Sequence, residues 1–315
     1  MEVKEVIISI TMNPSVDISY PIEKFTLNTV NRVKSVVKTA GGKGLNVARV
    51  LHQTNVEVLA GGMIGGYLGK FIEAELDKES IQHRFFAING QSRNCIAILH
   101  EKKQTEILEQ GPVISEDEAE RFLKHFEQLI EQASILTFSG SLPAGLPDNY
   151  YAKMIALCDE KNKAVALDCS GNALKEVLSN KTKPLLIKPN KEELGALVGR
   201  SVENNVESLK EVLSLPLFDG IEWIVVSMGV DGAFAKHKNT FYQVTIPKIE
   251  VINPVGSGDA TIAGLAQALD RRQSDEMILK HGNTLGMLNA QEKITGHVNM
   301  QNYQNLMNQI QVEKV

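Results

Sequence analysis

The stretch Val6-Ile7-Ile8-Ser9-Ile10-Thr11 is a short, nearly continuous run of apolar, mostly β-branched residues that ends in a polar one. Such a run is typical of a strand buried on both faces, as strands are in parallel sheets. Four more runs of this kind lie at residues 135–140, 165–170, 185–190 and 224–229. The sequence therefore predicts a mostly parallel central sheet.

Helical patterns lie between these runs. The clearest begins at Ser115, which is followed three residues later by Glu118 in the spacing of a capping box. Apolar residues then recur at helical spacing, at Phe122, Phe126, Leu129 and Ile130. Strands that alternate with helices in this way indicate an α/β fold with right-handed crossovers.

Two segments, residues 30–40 and 94–109, mix polar and apolar residues at a shorter period, and residues 101–104 resemble a hairpin tip. We therefore expect a small antiparallel β-sheet, inserted as a lid within segments of approximately residues 12–40 and 89–111. No proline-rich linker or fixed-period repeat divides the 315 residues. The prediction is a single domain over residues 1–315.

The composition excludes several classes of protein. With 33 Lys and Arg against 38 Asp and Glu, the net charge is −5, and aromatic residues make up 5% of the chain, which argues against a nucleic-acid partner. Cys95, Cys158 and Cys169 form no Cys-x-x-Cys pair, so neither a disulfide framework nor a thiolate metal site is expected. The apolar runs are too short for a membrane span or a signal peptide, so we expect a cytoplasmic protein without a membrane partner.

Residues 253–259 read Asn-Pro-Val-Gly-Ser-Gly-Asp and run directly into a helical pattern. Gly256 and Gly258 leave the backbone open to a ligand, and Ser257 can cap the first turn. The free amides of a helix start form an anion hole, and Asp259 beside it can take a proton from an alcohol. This combination predicts phosphoryl transfer to a hydroxyl. For this segment alone, an ordinary glycine turn followed by an acidic residue is the alternative.

A second glycine-rich helix start lies at residues 41–49, Gly-Gly-Lys-Gly-Leu-Asn-Val-Ala-Arg. Lys43 can meet an anionic group, and Asn46, one turn later, can form hydrogen bonds with sugar hydroxyls. Asp17 follows the first predicted strand and can accept hydrogen bonds from a polyol, but taken alone its position is more typical of a turn aspartate. These residues predict a second wall of a ligand site.

Motifs of other enzyme classes are absent from the sequence. It contains no Gly-x-x-x-x-Gly-Lys-Ser/Thr nucleotide cradle and no Gly-x-Gly-x-x-Gly dinucleotide fingerprint. It also lacks a His-Glu-x-x-His zinc motif and the Gly-x-Ser-x-Gly turn of many hydrolases. The two glycine turns remain the main functional signal.

Four motifs occur in an order that resembles the ribokinase-like (PfkB) sugar kinase family over essentially the whole chain. They are the two glycine turns and, between them, residues 139–143, Ser-Gly-Ser-Leu-Pro, and residues 188–193, Lys-Pro-Asn-Lys-Glu-Glu. The resemblance implies a three-layer α/β fold with a β-sheet lid, ATP as phosphoryl donor, Mg²⁺ as the required ion, and a homodimer formed through the lid.

Within the family, the chain is most similar to the branch that phosphorylates ketohexose phosphates. This implies conversion of tagatose 6-phosphate to the 1,6-bisphosphate, with transfer to the C1 hydroxyl. Fructose 1-phosphate and fructose 6-phosphate are alternative substrates of the same fold. A non-catalytic protein that senses a sugar phosphate is an alternative from another functional class, against which the intact Gly-Ser-Gly-Asp sequence speaks.

The resemblance also assigns roles to individual residues. Asp259 is the general base, and the amides of Gly256, Ser257 and Gly258 hold the transferring phosphoryl group. The residues expected to bind the substrate, with Arg93 on its existing phosphate, are Asp17, Gly42, Lys43, Asn46, Arg93 and Ser139. Those expected near the nucleotide are Lys188, Asn190, Ser227, Gly229, Gly232 and Asn283, and Glu193 is expected to bind Mg²⁺ through water.

Some of these residues also have structural interpretations. Asn190 and Glu193 have the spacing of a helix cap and its reciprocal partner, and Arg93 can be a solvated strand residue. Glycine at 229 and 232 can serve the backbone alone. The sequence also departs from the family, since many members have Asp or Ser at position 253, Thr at 254 and Ala at 257. That departure leaves potassium dependence open.

Overall fold

The computed structural model of the protein describes residues 6–101 and 103–315. Within them, fourteen strands are β1 (Val6–Thr11), β2 (Ser15–Pro21), β3 (Val37–Gly41), β4 (Val58–Gly65), β5 (Gln82–Ile88), β6 (Arg93–His100), β7 (Lys103–Leu108), β8 (Ala133–Ser139), β9 (Ala164–Asp168), β10 (Leu186–Ile187), β11 (Trp223–Ser227), β12 (Ala233–His237), β13 (Thr240–Thr245) and β14 (Gln311–Lys314).

The same residues form ten α-helices. These are α1 (Lys43–Gln53), α2 (Gly66–Lys78), α3 (Glu116–Ile130), α4 (Tyr150–Glu160), α5 (Gly171–Ser179), α6 (Lys191–Val198), α7 (Val206–Leu213), α8 (Ser257–Asp270), α9 (Asp275–Ala290) and α10 (Tyr303–Gln309). None of the helices in the described part of the chain is long and apolar enough to cross a bilayer.

Ten strands form one large sheet in the order β14-β13-β12-β11-β10-β9-β8-β1-β4-β5. The seven strands from β11 to β5 in this order are parallel to one another. Beyond β11, the strands β12, β13 and β14 continue the sheet in antiparallel pairing. Helices cover both faces of this sheet. The predicted α/β fold class with a mostly parallel central sheet is therefore confirmed.

Each of the five predicted strand runs overlaps a strand, but the run at residues 185–190 forms only the two-residue β10. Pro189 follows shortly after and has no N–H group to donate to a neighbouring strand. Its carbonyl still accepts from the Ser227 amide at 3.0 Å, so the chain continues beside β11 without a regular ladder.

Alternate residues of the parallel strands face two separate cores. On β1, Ile8 and Ile10 belong to the core that includes Phe122 of α3, while Ile7 points to the opposite core. That second core contains the apolar faces of α1, α2, α8, α9 and α10. Period-two alternation in the strands therefore produces three layers, helix, sheet and helix.

The predicted capping box at the start of α3 is present. The Ser115 hydroxyl accepts from the Glu118 amide at 3.3 Å, and the Glu118 carboxylate accepts from the Ser115 amide at 3.0 Å. The apolar residues after it, among them Phe122 and Phe126, are fully buried. Local signals were sufficient to locate this helix.

The other four strands form a small separate sheet in the order β3-β2-β6-β7. Its outer pairs are antiparallel, as predicted, whereas the central pair of β2 and β6 is parallel. The predicted segment 30–40 joins the sheet only from Val37 onward, where Val37 pairs with Ser19 of β2. The hairpin between β6 and β7 turns at Glu101, whose φ is +48°; Lys102 lies outside the described residues.

Candidate active site

A cavity of about 1400 Å³ lies between the small sheet and the carboxyl ends of the parallel strands. This edge is where α/β proteins bind their ligands. The cavity wall contains Asp17, Gly42, Lys43, Asn46, Arg93, Lys188, Asn190, Glu193, Ser227, Gly229, Gly232, Gly256, Ser257, Gly258, Asp259 and Asn283. The fold thus brings together sixteen of the seventeen residues that the sequence singled out.

Ser139 is the residue that the fold does not bring to the cavity wall. It is the last residue of β8, its side chain is completely buried, and it pairs with Asp168 in the neighbouring strand. Within the described residues its hydroxyl has no hydrogen-bond partner, and the expectation that Ser139 faces the substrate stays a prediction.

The N-terminus of α8 forms one wall of the cavity. Gly256 caps the helix with a φ of +85°, and a Cβ at this position would lie 2.4 Å from Thr295 Cγ2. A Cβ on Gly258 would lie 3.3 Å from Lys188 Nζ, so the bare backbone of this turn lies against an ammonium group. Amides of a first turn and an adjacent cation together favour a bound anion.

Asp259 lies at the inner end of this wall and is 5% exposed. Its Oδ2 accepts a hydrogen bond of 2.8 Å from Asn46 Nδ2 on α1. Burial and the nearby Asp168 carboxylate raise the pKa of Asp259 from 3.8 to about 7, against the opposing effects of Asn46, Lys43 and Lys188. A carboxyl with a pKa near neutrality is suited to accept and release a proton.

Asp168 is a site residue that the sequence reasoning missed. It is the last residue of β9, is buried, and places Oδ2 3.5 Å from Lys188 Nζ and 3.9 Å from Lys43 Nζ. Asp168 is also the main cause of the raised pKa of Lys43. Its place at the carboxyl end of a predicted parallel strand was the signal that could have identified it.

Asp17 and Arg93 lie on neighbouring strands of the small sheet. Asp17 is within β2 and accepts a 2.6 Å hydrogen bond from the Ser15 hydroxyl, so the alternative of a turn aspartate is wrong. Burial raises the pKa of Asp17. Arg93 Nε donates to the Asn13 carbonyl at 3.2 Å and Nη1 to the Glu109 carbonyl at 3.0 Å. Both side chains are therefore held in defined orientations at the cavity wall.

The profile of the family described as pfkB family carbohydrate kinase matches residues 6–301. The chain belongs to this family. The match spans most of the chain, including every residue assigned to the cavity, and it confirms the expectation of an ATP-dependent sugar-phosphate kinase.

Solved structures of similar proteins agree with this membership. A putative phosphofructokinase from Staphylococcus aureus is 29% identical, with 98% of this chain and 99% of that chain covered and a TM-score of 0.85. Phosphofructokinase-2 from Escherichia coli, solved in complex with potassium, is 24% identical, with 97% and 98% covered and a TM-score of 0.89. A possible 1-phosphofructokinase from Thermotoga maritima is 23% identical, with 98% and 99% covered and a TM-score of 0.88. The last two show that the ribokinase-like fold is shared.

Asn190 forms the helix cap of this kinase that its spacing suggested. Its Oδ1 accepts from the Glu193 amide at 2.8 Å, and Glu193 Oε2 accepts from the Asn190 amide at 2.9 Å. Both residues also line the cavity. The interpretation of Asn190 and Glu193 as a helix cap is therefore correct. Because the cap lies at the cavity wall, a role near the nucleotide stays a prediction.

The predicted nucleotide side of the kinase contains a tight turn after β11. Gly232 has a φ of +83°, and a Cβ there would lie 2.1 Å from the Val244 carbonyl oxygen, so the backbone alone requires glycine at this position. Asn283 lies on α9 with its amide Nδ2 donating to the Leu279 carbonyl at 2.8 Å. Ser227 and Gly229 complete this part of the wall.

The residues of the cavity can accommodate a nucleotide-bound Mg²⁺ but do not form a metal cage. In residues 6–101 and 103–315, no group of three or more His, Cys, Asp or Glu side chains could hold a metal ion. Mg²⁺ in kinases is usually held by one or two carboxylates together with phosphate oxygens and water. Glu193 uses Oε2 for the helix cap, so its second carboxylate oxygen is the one that fits this chemistry.

Proposed function

We propose that this kinase transfers the γ-phosphoryl group of ATP to the C1 hydroxyl of tagatose 6-phosphate, with the 1,6-bisphosphate and ADP as products. The observation that carries the proposal is the position of Asp259 beside the amides of Gly256, Ser257 and Gly258. A proton acceptor and an anion hole on the same helical turn are what transfer to an alcohol requires.

In the proposed reaction, Asp259 accepts the proton of the C1 hydroxyl while that oxygen bonds to the γ-phosphorus of ATP. The bond between the γ-phosphorus and the bridging oxygen breaks, and ADP leaves with that electron pair. The amides of the α8 turn and the Lys188 ammonium stabilise the transferring group. Glu193 would hold Mg²⁺ through water, and the bound ion would further neutralise the phosphate charge.

The cations at the sugar side support a substrate that already carries a phosphate. Arg93 offers a rigid guanidinium that suits two-point contact with a phosphate, and Lys43 adds a second positive charge. Asp17, Gly42 and Asn46 lie on the same wall and are assigned to the sugar. The small sheet carrying Asp17 and Arg93 is proposed to act as a lid on this side of the single kinase domain.

A fructose phosphate is the second candidate substrate. The Staphylococcus aureus protein that is 29% identical to this chain is described as a putative phosphofructokinase. Arg93 and Lys43 recognise charge, so they are compatible with fructose 6-phosphate and fructose 1-phosphate as well as with tagatose 6-phosphate.

A substrate panel tests the proposal. ADP formation is measured with ATP and Mg²⁺ on tagatose 6-phosphate, fructose 6-phosphate, fructose 1-phosphate and the unphosphorylated sugars. We expect the highest kcat/KM with tagatose 6-phosphate and little activity with unphosphorylated sugars. A clear preference for fructose 6-phosphate would replace the substrate and keep transfer to the C1 hydroxyl. A preference for fructose 1-phosphate would also move the acceptor to the C6 hydroxyl, because its C1 oxygen already carries a phosphate. A preference for an unphosphorylated sugar would overturn the roles of Arg93 and Lys43, and no ADP from any sugar phosphate would favour the sensing protein.

A further inference from the structure

A buried arginine lies directly behind Asn46. Arg49 is one turn further along α1 and is 5% exposed. All three of its guanidinium nitrogens donate hydrogen bonds: Nε to Glu79 Oε2 at 2.7 Å, Nη1 to Asn46 Oδ1 at 3.2 Å, and Nη2 to the Ala40 carbonyl at 2.9 Å. The guanidinium group is therefore fixed by contacts with α1, with β3 and with the residue that follows α2.

This contact determines which end of the Asn46 amide faces Asp259. A guanidinium group can only donate hydrogen bonds, so the Asn46 atom opposite Arg49 has to be the oxygen. The NH₂ group then points to Asp259, with 2.8 Å between Nδ2 and Oδ2. A reversed amide would place donor against donor at Arg49 and acceptor against acceptor at Asp259. The reversed orientation is unfavourable at both ends.

The Glu79 ion pair supports the position of Arg49. A buried guanidinium needs its hydrogen bonds satisfied and its charge compensated. Glu79 supplies the compensating charge, and its side chain is 33% exposed, so water can also reach this carboxylate. The contacts form a continuous chain from Glu79 through Arg49 and Asn46 to Asp259.

We propose that Arg49 is a positioning residue of this kinase, which holds the Asn46 amide with its N–H group directed at the Asp259 carboxylate. This inference rests on the proposed role of Asp259 as the general base. Without Arg49, the Asn46 amide can rotate. Asp259 then loses the hydrogen bond from an N–H group that Arg49 holds in a fixed direction. Arg49 itself needs no contact with the sugar or the nucleotide.

A double-mutant cycle on the full-length kinase tests this proposal. We expect Arg49→Met to lower kcat by about 10- to 100-fold, with KM for ATP unchanged. This is the usual range for residues that orient a functional side chain without contacting the substrate themselves. Asn46→Ala is expected to lower kcat at least as much. Because Arg49 acts through Asn46, the double variant should have the kcat of Asn46→Ala alone. Multiplied losses in the double variant, or wild-type kcat in Arg49→Met, would overturn the proposal.

A matched control separates positioning from general loosening of α1. Leu51 lies on the same helix and is fully buried. It belongs to the apolar core and not to the hydrogen-bonded series of side chains that leads from Glu79 to Asp259. Leu51→Ala is therefore expected to lower the melting temperature at wild-type kcat. A kcat loss in Leu51→Ala as large as that in Arg49→Met would overturn the proposal.

A second variant covers the case in which Arg49→Met does not fold. Arg49→Lys keeps the buried positive charge. A single ammonium group cannot, however, form the same three hydrogen bonds in the plane of the guanidinium, to Glu79, Asn46 and the Ala40 carbonyl. We expect a folded protein with reduced kcat, and wild-type kcat in Arg49→Lys would count against the proposal.

Asp259→Asn distinguishes failure of this inference from failure of the proposed function. If Asp259→Asn keeps wild-type turnover, Asp259 is not the base and both proposals fall. If Asp259→Asn is inactive while the Arg49 and Asn46 losses multiply, only the positioning role of Arg49 falls.

Discussion

Asp259 is a carboxylate that the fold keeps in an unfavourable environment. It is buried beside Asp168, and these two features raise its pKa from 3.8 to about 7. A folded protein that binds a proton more tightly than the unfolded chain becomes less stable as the pH rises through this interval. The residue that the proposed chemistry needs therefore reduces stability at neutral pH.

We predict that Asp259→Asn stabilises the protein in a pH-dependent manner. At about pH 4 both side chains are neutral in the folded state, whereas above pH 7 only the wild type carries a buried charge. The difference in the free energy of unfolding should grow over this range and then level off at about 4 kcal/mol, since each pKa unit corresponds to about 1.4 kcal/mol. Urea unfolding at several pH values measures it.

The exposed Asp148 provides a control for this prediction. Asp148→Asn should change the free energy of unfolding little at any pH, as expected for a surface position. If the difference in the free energy of unfolding between wild type and Asp259→Asn is the same at every pH, the raised pKa of Asp259 is contradicted.

Sequence reasoning identified Asp259 but not its surroundings. The Gly-Ser-Gly-Asp turn contains the proposed anion hole and the carboxylate within one local motif. The donor to Asp259 is Asn46, 213 residues away in the chain, and the sequence suggested only a sugar contact for it. Asp168 and Arg49 were missed because their importance depends on which side chains the fold places beside them.

At the level of elements, the start of α8 combines a left-handed glycine with the amides of the proposed anion hole. Gly256 has a φ of +85° and is crowded by Thr295, whereas Gly199, which caps the end of α6, has a φ of +71° and open space around it. Both positions favour glycine, but only Gly256 lies at the cavity. Comparing substitutions at these two glycines therefore separates the effect of backbone strain from the effect of a change at the cavity wall.

We predict that Gly199→Ala destabilises the protein by about 1–2 kcal/mol, the usual cost of a left-handed backbone conformation at a non-glycine residue. Gly256→Ala should cost more, because its Cβ would also lie 2.4 Å from Thr295 Cγ2. Only Gly256→Ala should also reduce kcat, by about 10²-fold, because an added methyl group displaces the turn that holds the phosphoryl group. Thermal unfolding and steady-state ADP formation measure the two effects. Equal kcat in the two variants would contradict the role of the turn.

Elements with local signals were predictable, and elements that depend on distant partners were less so. The capping box and the apolar face of α3 lie within one segment, and this helix formed as expected. The length of β3 depends on where β2 stops pairing, and the parallel pairing of β2 with β6 joins strands more than 70 residues apart. No pattern within either strand specifies that pairing.

At the scale of the whole molecule, the cavity joins parts of the chain that are far apart in sequence. Asp17 and Arg93 come from the small sheet, Lys43 from α1, and Asp259 from α8. The ordered motifs indicated that these residues meet, because carboxyl ends of parallel strands share one edge. The position of the small sheet beside that edge required the three-dimensional structure.

The small sheet also exposes apolar residues that a partner subunit could cover. Val37, Leu99 and Leu108 are 52%, 38% and 59% exposed and line the cavity. The expected homodimer through this sheet would bury them and cover its edge strands.

We predict that the wild type elutes as a dimer and that Leu108→Asp elutes as a monomer, because a charged residue is costly to bury in an apolar interface. Light scattering coupled to size-exclusion chromatography measures the mass. Val113→Asp is the control, since Val113 is 75% exposed but lies outside the four strands of the small sheet. A monomeric wild type, or a dimeric Leu108→Asp variant, would contradict this mode of association.

The central claim is that Asp259 accepts the proton of the sugar hydroxyl during phosphoryl transfer. Its most direct test is the turnover number of Asp259→Asn, measured as ADP formation at neutral pH with saturating ATP, Mg²⁺ and the preferred sugar phosphate. The account predicts a folded variant whose kcat is lower by about 10²–10⁴, the usual contribution of a positioned base. A kcat close to that of the wild type would contradict it.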